Sequence, residues 1–183
     1  MLNIFCKKHR FCGCPEYDGD GRLIINMNVK DDTNFLSVYS MTDSPVISSD
    51  VAAFIESATE TADSNEKITL KIHSREIDEE EKQIYDKAIR TYYKERAVAV
   101  SKELHRNNLI AVLLLLLGAL VLTGAVIISY TVSSAVWSEI IDIIAWVLIW
   151  ESADITLFKN GGLRIKKKRF SAFVDMKIEY FYK

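Results

Sequence analysis

Between residues 109 and 158 the chain has no lysine and no arginine, although it carries 23 of them in its 183 residues. A fifty-residue gap in positive charge excludes an ordinary solvated surface there. The charge divides the chain into three parts: net −4 over 1–108, −4 over 109–158, and +6 over 159–183. Cysteine is also scarce. Cys6, Cys12 and Cys14 all precede residue 15, which excludes the even, spread-out cysteine framework of a small secreted fold and fits a reducing compartment. No apolar stretch lies near the N-terminus, so no cleaved secretory signal is expected, and the first hydrophobic run must itself direct insertion. Catalytic signatures are missing as well. There is no GxSxG, phosphate-binding glycine loop, HExxH or CxxC, and His9, His73 and His105 give no triad by spacing. The expectation is that the protein is not an enzyme.

The gap itself is filled with apolar residues. Crossing ~30 Å of hydrocarbon takes roughly 20 apolar helical residues, and 109–130 meets that without a charge. The stretch 136–158, VWSEIIDIIAWVLIWESADITLF, reads as a second span, with Trp137 and Trp150 towards opposite interfaces and Trp146 between them. Orientation follows from Lys and Arg near the membrane ends. Arg90, Lys94, Arg96, Lys102 and Arg106 precede the first span, Lys159, Arg164, Lys166, Lys167, Lys168 and Arg169 follow the second, and the connecting turn has none. Both termini are therefore expected in the cytoplasm of a cell whose inner (plasma) membrane holds the hairpin.

The soluble part shows two periods. Leu23, Ile25, Met27 and Val29 alternate with Ile24, Asn26 and Asn28, and Ile68, Leu70 and Ile72 alternate with Lys67, Thr69, Lys71 and His73, so 23–29 and 67–73 read as strands. FLSVYSM at 35–41 reads as a further strand, pairing with 23–29 as a hairpin. Ser48, Ser49 and Asp50 are candidate N-caps for a helix beginning VAAFIES. Asp78 with Glu81 resembles a capping box, and Glu79, Glu80 and Glu81 suit a helix N-terminus. That second helix presents Ile84, Ala88 and Tyr92 at helical spacing and leads towards the membrane, with a kink expected near Asn107 and Asn108. The tail FVDMKIEYFYK alternates again. An isolated strand is marginal and an exposed edge is hazardous, so this tail is expected to return to the N-terminal sheet.

The expected fold is thus a small cytoplasmic α/β sandwich, ββαβα plus a C-terminal strand, interrupted by a two-helix transmembrane hairpin. Its segments are an N-terminal Cys/His arm at 1–22, the α/β domain at 23–108, the hairpin at 109–158, and the basic exit with its strand at 159–183.

Several residues invite a chemical reading, each with a plainer one beside it. Cys6, His9, Cys12 and Cys14 form a four-ligand set of the type zinc prefers. Their spacing argues for incidental reduced thiols instead: the Cys12–Cys14 bite is tight and no second ligand pair exists. Lys7, Lys8 and Arg10 in the same arm suit anionic headgroups. DGDG at 18–21 resembles the start of a calcium loop but lacks the later ligands, and a turn is favoured. Acids inside a span are costly and are functional candidates by default: Glu139 and Asp142 near the outer end, Glu151 and Asp154 near the inner. Nine residues from Asp142 to Glu151 turn the helix by roughly 180°, so the acids form no single stripe. The plainer reading pairs Glu151 and Asp154 with Lys159, Arg164 or the basic tail. RIKKKR at 164–169 is read as a topology determinant and headgroup contact rather than a nucleic-acid site. Small residues at Gly118, Ala119, Thr123, Gly124 and Ala125 permit close helix packing, within the hairpin or between copies.

The stretch AWVLIWESADITLF followed by a basic run and a short alternating tail, with Trp150, Glu151 and Asp154 at the exit, resembles a group of uncharacterised bacterial two-span inner-membrane proteins with a cytoplasmic α/β portion. IDEEEKQIYDKAIRTYY is similar to that group too. The resemblance covers the last two thirds of the chain and implies no activity. The functional expectation is a non-enzymatic, membrane-tethered sensor, scaffold or effector whose cytoplasmic domain binds a protein or small ligand, with self-association possible in the bilayer. The alternative, from a different class, is an oligomeric channel or membrane-perturbing effector that uses Asp142 and Glu151.

Overall fold

The computed structural model describes residues 16–29, 34–41, 44–60, 62–63, 66–74, 77–131 and 135–182, with backbone alone at 131 and 135–138. It is a mixed α+β structure with one small sheet and one long apolar helix. In chain order the elements are β1 (Glu16–Tyr17), β2 (Leu23–Asn28), α1 (Ser49–Ala58), β3 (Ile68–His73), α2 (Glu79–Thr131) and α3 (Ala135–Asp154), then a π-helical turn (Ile155–Lys159), α4 (Asn160–Val174) and β4 (Lys177–Phe181). Contacts divide the chain into two units, 1–96 with 168–183 and 97–167.

The first unit holds the sheet, in the order β1-β2-β3-β4. β1 runs antiparallel to β2, through a turn closed by Gly21 N–H donating to Asp18 O at 2.8 Å. Gly21 has φ +70°, the left-handed conformation that a glycine adopts without penalty. DGDG is therefore a turn here. β2, β3 and β4 are mutually parallel, with Ile25 opposite Leu70 and Leu70 opposite Ile178. Parallel neighbours need long crossovers: α1 supplies one, and everything from α2 to α4 supplies the other. The tail strand does return to the sheet, beside β3.

Side-chain alternation decides which face is covered. Leu23, Ile25 and Met27 of β2 and Ile68, Leu70 and Ile72 of β3 are buried. All of these but Leu23 pack with Ala52 and Ile55 of α1, Tyr85, Ala88, Ile89 and Tyr93 of α2, and Phe173 at the end of α4. The other face carries Asn26, Lys71, His73, Glu179 and Phe181 in register. Local signals place the helices. Ser48 is the α1 N-cap, its Oγ accepting from Val51 N–H, and Glu81 Oε2 accepts from Asp78 N–H at 2.9 Å, closing half of a capping box at the start of α2.

Four expectations need correction. The segment 35–41 is not a strand and forms no hairpin with β2. Phe35 enters the core, Val38 and Tyr39 are exposed, and the only ladder contacts among the described residues are single bridges from Leu36 to Ile47 and from Met41 to Ser44. Two serines explain it: Ser37 Oγ accepts from Tyr39 N–H and Ser40 Oγ from Val46 N–H, offering the backbone an alternative to a ladder. The leading strand of the ββαβα order is instead β1, inside the segment assigned to the arm. On α2 the buried stripe is Tyr85, Ala88, Ile89 and Tyr93, one residue on from the expected face, and Ile84 is exposed. Finally, the basic exit is helical as α4, and β4 begins only at Lys177.

Candidate functional site

The second unit contains the long apolar stretch of α2 together with α3. α2 is the one helix among the described residues that is long and apolar enough to cross a membrane, its most apolar 18-residue window reaching a mean hydropathy of 2.9 with 17% of that window buried. α3 has three or more acids in every 18-residue window. The apolar side chains of both helices point outward: Leu113, Leu116, Leu120 and Ile127 on α2, and Ile143, Trp146, Val147 and Trp150 on α3, are all more than half exposed. Small and polar residues stand among those turned inward, with Ala111, Ala125, Ala145 and Ser152 buried. Gly118 lies so close to α3 that a Cβ on it would stand 2.8 Å from Ile149 Cγ1 and 3.3 Å from Ala145 O. Ser152 Oγ donates to Ala111 O at 2.8 Å.

One end of this unit is held by a polar knot that sequence reasoning missed. Asn160 is fully buried and its Nδ2 donates to Asn108 Oδ1 at 2.7 Å. Eight residues of regular helix would leave Asn160 about 80° away from Ser152 around the axis. The intervening turn, Ile155–Lys159, is π-helical, and its wider winding takes up much of that difference. Ser152 and Asn160 therefore both reach α2. Asn160 Oδ1 is buried without a partner among the described residues. The signal in the sequence is Asn108 itself; the kink expected there is absent, and α2 continues through it unbroken.

The acids fall in different settings. Lys159 Nζ lies 2.9 Å from Glu151 Oε1 and 3.5 Å from Asp154 Oδ2, all three partly exposed. Asp142 is half-buried and Glu139 exposed. Of the basic run, Arg164, Lys166, Lys167 and Lys168 are exposed on α4, Arg169 is half-buried, and Lys167 Nζ donates to Ser101 Oγ at 3.1 Å. The candidate zinc ligands Cys6, His9, Cys12 and Cys14 lie outside the described residues. Among the described residues no group of three or more His, Cys, Asp or Glu is placed to hold a metal.

Two concavities mark the sheet unit. The first, about 500 Å³, lies at the end of β2 and the start of α1 and is lined by Met27, Asn28, Phe35, Asp50, Val51 and Phe54 among others. The crevice at the carboxyl end of parallel strands is where α/β sheets often hold ligands. Asp50 there disfavours an anion.

The second, about 810 Å³, runs between α2 and β4 and is lined by Lys87, Arg90, Lys94, Val174, Ile178 and Tyr180 among others. Arg90 bridges from α2 to the chain just before β4, Nη1 donating to Val174 O at 2.5 Å and Nη2 to Met176 O at 3.2 Å while Nε holds Asp86 at 2.9 Å. Nearer the start of α2, Lys82 sits 4.6 Å from the centre of the Tyr182 ring and 5.6 Å from that of Tyr180 and is paired with Glu79. Its ammonium is held above the ordinary lysine pKa by the Glu79 and Tyr182 contacts. Burial, and then Asp86, push the Tyr180 phenol up.

Comparison with protein-family models, curated proteins and solved structures finds no match.

Proposed function

We propose that this protein is a non-enzymatic integral membrane protein: α2 and α3 form a two-span hairpin, and the sheet unit is a cytoplasmic binding module tethered to an inner (plasma) membrane. The outward apolar surface of the second unit carries this reading. Each largely exposed leucine, isoleucine or tryptophan there forgoes roughly 1 to 2 kcal/mol in water, and a monomer rarely exposes so continuous a patch. Lipid removes that cost. The 22 residues from Leu109 to Tyr130 span about 33 Å as a helix, matching the hydrocarbon thickness.

The inward features fit the same environment. Close approach at a glycine and hydrogen bonds between helices are what hold spans together where lipid offers no hydrophobic drive. Lys159 bridges Glu151 and Asp154 at the exit and offsets part of their charge, and the basic run of α4 follows on the side that the positive-inside rule assigns to the cytoplasm.

Two measurements test the reading. The chain should float with liposomes after alkaline carbonate washing and need detergent for monodispersity, and reporters fused at either terminus should be active only in the cytoplasm. A chain that stays monodisperse without detergent, or a periplasmic signal from either fusion, refutes it.

A further inference from the structure

We propose that the outer edge of β4 and the cationic groove beside it form a docking site for an extended acidic segment of a partner protein, which adds to the sheet as a fifth strand. The proposal deepens the reading of the sheet unit as a binding module.

Backbone geometry makes the edge available. Phe181 O accepts from Ser74 N–H, so the Phe181 peptide groups face β3. Since backbone groups alternate along a strand, those of Lys177 and Glu179 face β3 as well, and those of Ile178 and Tyr180 face away. β4 is last in the strand order, and no strand among the described residues pairs with that side. The Ile178 and Tyr180 side chains line the groove on the face of the sheet towards α2, at right angles to the outward peptide groups, which lie in the plane of the sheet. β4's five residues offer about 17 Å of edge.

Charge selects the occupant. Along the groove α2 presents Lys87 and Lys94, two turns apart and exposed, with no ion pair among the described residues. Arg90 and Lys82 are engaged within the domain, and Asp86 is paired with Arg90. Exposed edges usually carry charges that deter pairing. The charges nearest this edge on β4, Lys177 and Glu179, bond to each other at 2.7 Å and belong to the opposite face. A second copy pairing edge to edge would bring two cationic α2 stripes together, whereas a strand with alternating carboxylates would meet Lys87 and Lys94 while its main chain bonds Ile178 and Tyr180. Strand addition of this kind takes affinity from the main chain and specificity from alternate side chains.

The test uses full-length protein in nanodiscs of neutral lipid, with a fluorescent peptide of alternating Glu and Val as probe. Binding is expected, with new amide-exchange protection at Ile178 and Tyr180. Reversal of both lysines, Lys87→Glu with Lys94→Glu, should weaken it roughly tenfold while β3 protection stays unchanged. Methylating alternate peptide nitrogens should abolish it. Equal binding of a Lys-Val peptide, equal binding of the N-methylated peptide, or no change at Ile178 and Tyr180 overturns the proposal. So does concentration-dependent protection of those amides without peptide, which would assign the edge to a second copy, or a lysine reversal that alters attachment to anionic vesicles and leaves peptide binding intact. A chain shown to need no membrane can still be assayed with the same peptide in buffer, so the two readings fail separately.

Discussion

Replacing Arg90 by alanine removes a side chain that ties the chain just before the C-terminal strand to α2. Arg90 reaches across more than eighty residues of sequence to the Val174 and Met176 carbonyls, just before β4. Hydrogen bonds from charged donors contribute about 1.5 to 3 kcal/mol when well buried. The Arg90 side chain is 40% exposed, so water replaces part of each bond, and about 1 kcal/mol apiece is the appropriate discount. The expected loss for Arg90→Ala is about 2 kcal/mol, which in a unit of this size lowers the Tm by about 8 °C. Arg90→Lys keeps the charge but not the fork that reaches two carbonyls at once, and should recover about half. Asp86→Ala removes a surface pair one turn away, worth about 0.4 kcal/mol. Near-ultraviolet circular dichroism of the detergent-solubilised protein reads the melt, and amide exchange over 177–181 reads the strand. If Arg90→Ala melts with the parent, or Asp86→Ala costs as much, the clamp is not what secures β4.

Other perturbations separate the remaining contacts. Gly118→Leu should destabilise α2–α3 packing by about 1 to 3 kcal/mol, seen as faster exchange near Ala111 and Ala145, whereas Gly124→Ala, which meets nothing within 4 Å, should not speed exchange there. Asn108→Ala strands the buried Asn160 amide and should cost about 1 to 3 kcal/mol; adding Asn160→Leu should restore much of it, and a double variant worse than the single would disprove the pairing. The sheet unit should lose stability in alkali. Burial raises the Tyr93 phenol well above its ordinary value, and Tyr180 likewise. The unfolded chain therefore releases these protons first, and the stability they lend is complete below pH ~10 and declines above it. Tyr93→Phe should flatten the decline seen by tyrosinate absorbance and denaturant melts.

Much of the architecture is local in origin and was legible in the residues. The period-two runs at 23–29 and 67–73, the Ser48 cap, the Asp78–Glu81 box and the apolar run after Leu109 each follow from interactions within a few positions of the chain. The return of the tail to the sheet could also be reasoned, because an isolated alternating strand has no stable place in water. Phe35 to Met41 misled because its composition suits a strand while Ser37 and Ser40 bond the backbone more cheaply where they stand. Ile84 and Tyr85 are both apolar, and only docking against the sheet chooses Tyr85.

The sequence alone determined what kinds of elements exist and which segment is long and apolar enough to cross a membrane, because periodicity, caps and hydropathy act over a few residues. Tertiary structure alone decided strand order, the Arg90 clamp, the Asn108–Asn160 contact across its π turn, and the groove beside β4. Apart from the β1–β2 turn, those depend on groups 45 to 108 residues apart meeting at hydrogen-bond distance. No local pattern records such a meeting.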